Sequence, residues 1–176
     1  MSATPTNTTS FSFMGIDAGL SGAIAICTPS AFSGIYSLLI HDMPTLKSNG
    51  KKRAEVNAIA LADLLRDGYM YVHTCLLETP HSLPRDGHVG AFSFGRSLGV
   101  IQGVLAANGV NTVSVLPAVW KSQLGLATDK QKSLDLAIKT FPNHAHLFAR
   151  KKDDGRAEAA LLAYLAYKTF GEKAGK

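Results

Sequence analysis

Acidic side chains are the scarce charge in this chain. Its 176 residues hold 13 aspartates and glutamates against 18 lysines and arginines, a formal net charge of +5. That excess raises the expectation of an anionic partner but does not name one, since many basic proteins bind no nucleic acid. Cysteine is scarcer still. Cys27 and Cys75 are the only two, both in apolar stretches and in no CxxC spacing. They read as small buried hydrophobes, which excludes a disulfide scaffold. The first ten residues lack lysine, arginine and an apolar core, so no signal or transit peptide is expected. No apolar run reaches the roughly 18 to 20 residues of a membrane span. The expectation is a soluble, cytoplasmic chain with no membrane association. What remains, 46% hydrophobic and 18% charged residues, is an ordinary globular mixture. At this length it fits one domain with a substantial core.

Along the chain, residues 1–10 form a polar N-terminal tail, 11–170 a single domain and 171–176 a C-terminal tail. Three strands are expected at 11–17, 23–27 and 34–43, joined by short turns as an antiparallel meander. Pro44 ends them, and Lys47, Lys51, Lys52 and Arg53 surround Asn49-Gly50 in an exposed basic loop. Helical spacing begins at Asn57, a cap, with Leu61, Leu64 and Leu65 on one face and Gly68 as its stop. Residues 71–77 are strand-like and end in Glu78. A long helix is expected over 90–108, with Phe94, Leu98, Ile101 and Leu105 as its stripe and Asn108-Gly109 closing it. A short strand at 112–116 precedes Pro117 and a helical turn carrying Trp120 and Lys121. Thr128 caps a helix through 140, and a last helix covers 154–170. Strand-helix-strand units imply parallel neighbours. The fold class is therefore α/β, a mixed five-stranded sheet with helices on both faces.

Asp17 closes the first strand and leads into a glycine turn, where it either holds a divalent metal or precedes a phosphate cradle. Glu78 closes the fourth strand. Sites in such sheets form outside the carboxyl ends of the strands, so parallel neighbours would bring both acids to one edge. On the last helix Glu158 lies three, four and seven residues before Leu161, Leu162 and Leu165, along the apolar stripe. Asp154 is one turn earlier on that face, whereas Asp153 is rotated by roughly 140° from Glu158. An acid at that place also caps helices, which accounts for Asp154 but not for Glu158. Four converging carboxylates repel one another unless cations lie between them. Hard oxygen donors suit Mg²⁺ or Mn²⁺, and two such ions form the clamp used in phosphodiester hydrolysis.

Three segments carry a family resemblance: Gly15-Ile16-Asp17-Ala18-Gly19-Leu20-Ser21-Gly22, Leu77-Glu78-Thr79-Pro80 and Asp153-Asp154-Gly155-Arg156-Ala157-Glu158-Ala159. In order and spacing they resemble the RuvC-like Holliday junction resolvases, in particular the phage and related branches. The resemblance implies a ribonuclease H-like fold, a homodimer, and two-metal cleavage of symmetric strands in four-way DNA junctions. Asp17 and Glu78 match the family's first two acidic positions, and Asp154 and Glu158 the acidic pair on the last helix. The bacterial pattern has two aspartates three apart there, whereas Asp154 and Glu158 are four apart. Asp153 therefore stays eligible as a substitute ligand, although the helical phase selects Asp154.

Phosphate contacts supply most of the affinity for such DNA. Arg150, Lys151 and Lys152 lead directly into the acidic pair. The resemblance places further DNA contacts in the region of Lys121, Lys130 and Lys132, and an aromatic side chain near His81, where histidine can also stack on a base. Arg96 and Gln102 on the long helix face a partner or solvent. Phe92, Phe94 and Trp120 read as core or interface. Two other functions fit less of the chain. An actin- or sugar-kinase-like ATPase domain needs a second domain and gives Glu158 no role. A nuclease acting on flaps or forks keeps the fold and changes only the substrate.

Overall fold

The computed structural model describes residues 11–30, 35–47, 54–68, 72–81, 87–126 and 130–171. The tails at 1–10 and 172–176, the loop cations Lys51, Lys52 and Arg53, and the cap Thr128 lie outside the described residues. Seven strands and five α-helices follow in the order β1 (Ser12–Ile16), β2 (Ala23–Pro29), β3 (Tyr36–Asp42), β4 (Thr45–Leu46), β5 (Glu55–Val56), α1 (Ala58–Gly68), β6 (Val72–Glu78), α2 (Gly87–Ala107), β7 (Thr112–Val115), α3 (Pro117–Gln123), α4 (Lys130–Thr140) and α5 (Asp154–Ala166). The main sheet runs β3-β2-β1-β6-β7. β1, β2 and β3 are antiparallel, while β1, β6 and β7 are parallel. This is the mixed sheet expected from the alternation of strands and helices. The pair β4–β5 is an additional short ladder flanking the basic loop.

Alternation along β1 builds two cores. Phe13 packs on the α4–α5 side, and Met14 and Ile16 on the α1–α2 side, all of them buried. Burying a side chain of that kind stabilises the fold by about 1.5–3 kcal/mol. Cys27 and Cys75 are free, buried and on opposite sides of the sheet, as two small hydrophobes should be. The Asn57 side chain accepts from the Ala60 N–H at 3.1 Å and caps α1.

Helix α5 lies directly on β1, because both surfaces are stripped of bulk. A Cβ on Gly15 would stand 2.2 Å from the Ala159 carbonyl oxygen and 2.3 Å from the Ala163 nitrogen. The facing helix contributes Ala159, Ala160, Ala163 and Ala166, all buried. This approach determines how close the N-terminal acids of α5 come to the end of β1.

Helix α2 begins earlier than its apolar stripe suggests, at Gly87 with φ of +66°. Among the described residues it is one helix long and apolar enough to cross a membrane by length and composition, with a mean hydropathy of 1.3. This corrects the expectation that no such run exists. Glycine and alanine interleave its larger apolar residues, so no solid hydrophobic block marks it. In the fold Ile101 and Leu105 are buried against the sheet. Arg96 pairs with Glu55 at 2.7 Å.

Gly15→Ala is expected to destabilise the protein by about 2 kcal/mol or more through overpacking of the β1–α5 contact. Urea unfolding checks this, and an unchanged midpoint would contradict the close-packing account.

Candidate functional site

The parallel register pairs Ile16 with Leu77, so Asp17 and Glu78 leave adjacent strands at the same edge. Asp17 is held there by its turn. Its N–H donates to the Ala23 carbonyl at 3.1 Å, and its Oδ1 accepts from the Gly19 N–H at 3.0 Å. Two glycines make room around it. A Cβ on Gly22 would lie 2.2 Å from the Asp17 carbonyl oxygen, and one on Gly155 would lie 3.1 Å from Asp17 Oδ2 and 2.6 Å from the Ser21 carbonyl oxygen. The glycine turn thus lets the first turn of α5 reach the carboxylate.

Glu78 is buried, and its Oε2 accepts from the indole N–H of Trp120 at 2.6 Å. Trp120 is fully buried, as a core residue should be. Its single polar atom, however, is spent on this acid. Glu158 faces inward from α5, where Lys121 donates to its Oε1 at 2.7 Å and Ser133 lies 3.3 Å from the same oxygen. The Lys121–Glu158 pair is largely removed from water, with 17% and 10% of the two side chains exposed. A pair so placed is costly to break by removing one partner. Lys130, at the start of α4, pairs with Asp154.

Asp17 and Glu78 each feel neighbouring carboxylates. Burial pushes the Asp17 carboxyl up from its ordinary range, the negative charges of Glu158 and Asp154 push it further, and the Gly19 N–H and Lys121 pull it back. Burial likewise raises Glu78 to about 7, aided by Asp17 and Glu158 and opposed by the Trp120 hydrogen bond and Lys121. Like-charge coupling of buried acids favours protons or cations in their midst. Among the described residues no three acids or other metal-donor side chains form a ready metal cage. Each acid is turned to a protein donor instead: Gly19, Trp120, Lys121 or Lys130. The donor set fits a hard divalent cation in chemistry, being oxygen throughout and short of positive charge.

Asp153 belongs to a different arrangement. Its carboxylate accepts from the Arg150 backbone N–H at 2.9 Å and from Arg150 Nη2 at 2.7 Å, and Arg150 holds its carboxyl below the usual range. Asp154 keeps company with Asp17 electrostatically, which favours it over Asp153 as the companion of Glu158.

The expected DNA-binding cations divide in two. Lys121 and Lys130 sit on the carboxylates, and Arg150 on Asp153. Lys132, Lys151 and Lys152 are exposed, as is His81 just beyond β6. Lys132 is two residues past Lys130, roughly 200° around the helix, so the two do not act on one face. Trp120, Ser133 and Arg156 are site neighbours that the sequence does not single out. The Trp120-Lys121 pair after Pro117 is the one signal available, a polar-tipped ring beside a cation on a short helix.

No family model matches the chain. A curated relative, the chloroplastic Holliday junction resolvase MOC1 of Chlamydomonas reinhardtii, is 38% identical over 157 residues, covering 77% of this chain. The chain spans only 18% of that relative's length. Among solved structures, Thermus thermophilus RuvC aligns with a TM-score of 0.57 at 14% identity, covering 94% of this chain and 98% of its own. The same protein in complex with a Holliday junction substrate aligns with a TM-score of 0.56 at 15% identity, covering 93% and 96%. The chain therefore shares its fold, a mixed five-stranded sheet flanked by helices, with RuvC.

Proposed function

We propose that the protein is a metal-dependent endonuclease that resolves four-way DNA junctions by symmetric phosphodiester hydrolysis, in recombination and repair. The observation that carries this reading is the meeting of Asp17, Glu78, Asp154 and Glu158 at one sheet edge of a RuvC-like fold. The relative named as a Holliday junction resolvase supports it. The four acids would hold two Mg²⁺ or Mn²⁺ ions, which supply an activated water and a counter-charge for the departing oxygen.

The chain's own groups do the rest. Trp120 fixes one oxygen of Glu78 and leaves the other for ligation. Lys121 and Lys130 balance the acids in the absence of other cations, and are released toward DNA phosphate when their carboxylates turn elsewhere. A divalent-metal ligand must be deprotonated, so the high affinity of Glu78 for its proton makes loading favour alkaline pH. We place the protein in an aqueous, DNA-containing compartment.

The partner is a second copy of the chain, docked through α2. Val89 and Phe92 on this helix are 70% and 74% exposed. Gly95, Gly99 and Gly103, four apart, have open space where a Cβ would be. Small residues at that spacing let two helices approach closely. Two active sites related by a two-fold axis would suit paired incisions in a symmetric junction.

In Mg²⁺ or Mn²⁺ the protein is expected to nick a four-way junction symmetrically and leave linear duplex intact. Asp17→Asn should abolish cleavage and retain junction binding in Ca²⁺. Equal cutting of flaps and forks would instead favour a broader branched-DNA nuclease, and normal cutting by the variant would remove the carboxylates from the mechanism. For the dimer, Gly99→Leu finds room within one subunit, so light scattering should report monomers of undiminished thermal stability; a dimeric variant would rule out α2 as the interface. Glu78 makes the folded state sensitive to pH. Its carboxyl rises from 4.5 to about 7 on folding, so its contribution is complete below about pH 4.5 and lost as pH rises through 7. The loss amounts to at most about 3 kcal/mol. Melting in EDTA across that window should decline in the wild type and decline less in Glu78→Gln; parallel curves would contradict the assignment.

A further inference from the structure

Beside the carboxylate cluster lies a second polar feature that the proposed chemistry does not use. A cleft of about 360 Å³ opens between the glycine turn, the end of β3 and the segment entering α5. Ser21, Thr45, Arg150, Lys152 and Arg156 line it, together with Asp42 and Asp153. It adjoins the Asp17 turn, since a Cβ added at Gly155 would meet both the Ser21 carbonyl oxygen and Asp17 Oδ2. We propose that this cleft binds one backbone phosphate of the DNA strand passing over the carboxylates, with Arg156 as its anchor. The proposal rests on the junction-nuclease reading and adds a subsite to it.

The donor geometry points to an anion. Arg156 is gripped along one edge by Asp42, Nε to Oδ1 at 2.6 Å and Nη2 to Oδ2 at 2.7 Å. Arg150 is gripped in the same way by Asp153, through Nε at 3.1 Å and Nη2 at 2.7 Å. A guanidinium has five N–H donors in a planar fork. In both arginines Nη1 stands outside these grips; Arg156 Nη1 lies 3.9 Å from Asp153 Oδ1, too far for a hydrogen bond. The aspartates therefore orient the arginines and leave one N–H pair of each for another acceptor. A guanidinium already held in place loses less conformational freedom when it takes a phosphate oxygen.

Charge supports the same occupant. Three cations and two carboxylates give the cleft one net positive charge, which matches the single negative charge of a phosphodiester. Both carboxylates are engaged by arginine, so the cleft is not a cation site. A purely structural role explains Arg156 poorly. Its partner Asp42 is 64% exposed, and ion pairs that exposed contribute little to stability.

The test is the salt dependence of four-way-junction binding in Ca²⁺, followed by fluorescence anisotropy. Each phosphate contact contributes about 0.9 to the slope of log affinity against log salt. Arg156→Ala should make that slope shallower by about 0.9. Asp42→Asn, which frees the guanidinium but keeps its charge, should leave the slope unchanged. Lys152→Ala, at an exposed position whose folding is secure, should also make the slope shallower. An Arg156→Ala protein that binds more weakly at an unaltered slope would reduce the arginine to a clip between β3 and α5 and overturn the subsite. If Arg156→Ala does not fold, an unaltered slope in Lys152→Ala overturns it. If the wild-type chain binds no junction, the nuclease reading fails, and the subsite with it.

Discussion

The contact between β1 and α5 is the constraint on which the rest of the molecule depends. A strand end contributes Asp17 and a helix N-terminus contributes Asp154 and Glu158, and the two elements are 137 residues apart in sequence at their first acids. Only backbones in near contact bring such short side chains together. Gly15 and the alanines of α5 allow that contact along the length of the helix, and Gly155 and Gly22 allow it at the site itself. Each of these residues is small for a steric reason, not for flexibility. A methyl group at Gly15 would meet the α5 backbone, and one at Gly155 would meet the Ser21 carbonyl oxygen and Asp17 Oδ2.

Electrostatics then sets the state of the site. Four acids in a half-buried cluster cannot all ionise without compensation. Lys121 and Lys130 provide it from α3 and α4, and Trp120 adds a neutral donor. These same groups are the ones that the proposed divalent cations would have to displace. In the proposed function, cation binding and DNA binding would thereby be joined, because lysines freed from the carboxylates would become available to phosphate.

Much of this is legible in the sequence, where the relevant signal is local or periodic. The apolar runs ending in Asp17 and Glu78, the β-α-β order and the cap at Asn57 lead to the observed sheet and to a shared edge. The helical phase of Glu158 against Leu161, Leu162 and Leu165 places it inward, where it is found. Long-range pairing leaves no such trace. Nothing in an aromatic residue says which acid its N–H will meet, so Trp120 reads as core although it also holds Glu78, 42 residues away. Arg150 reads as a DNA contact, and only the fold reveals Asp153 on its guanidinium. The 3₁₀ segment Pro142–Phe148, which tucks Phe148 beneath α5, has neither period and passes unnoticed.

The central claim is that these acids form one cation-binding unit steadied by Trp120. Trp120 is the chain's single tryptophan, and its indole N–H lies on Glu78, so its emission reports on the site without DNA or turnover. Titration of the DNA-free protein with Mg²⁺ at alkaline pH, followed by tryptophan fluorescence, tests the claim most directly. The account predicts a saturable change in the wild type that is absent in Asp17→Asn. An unresponsive wild type, or an identical response in the variant, would contradict it.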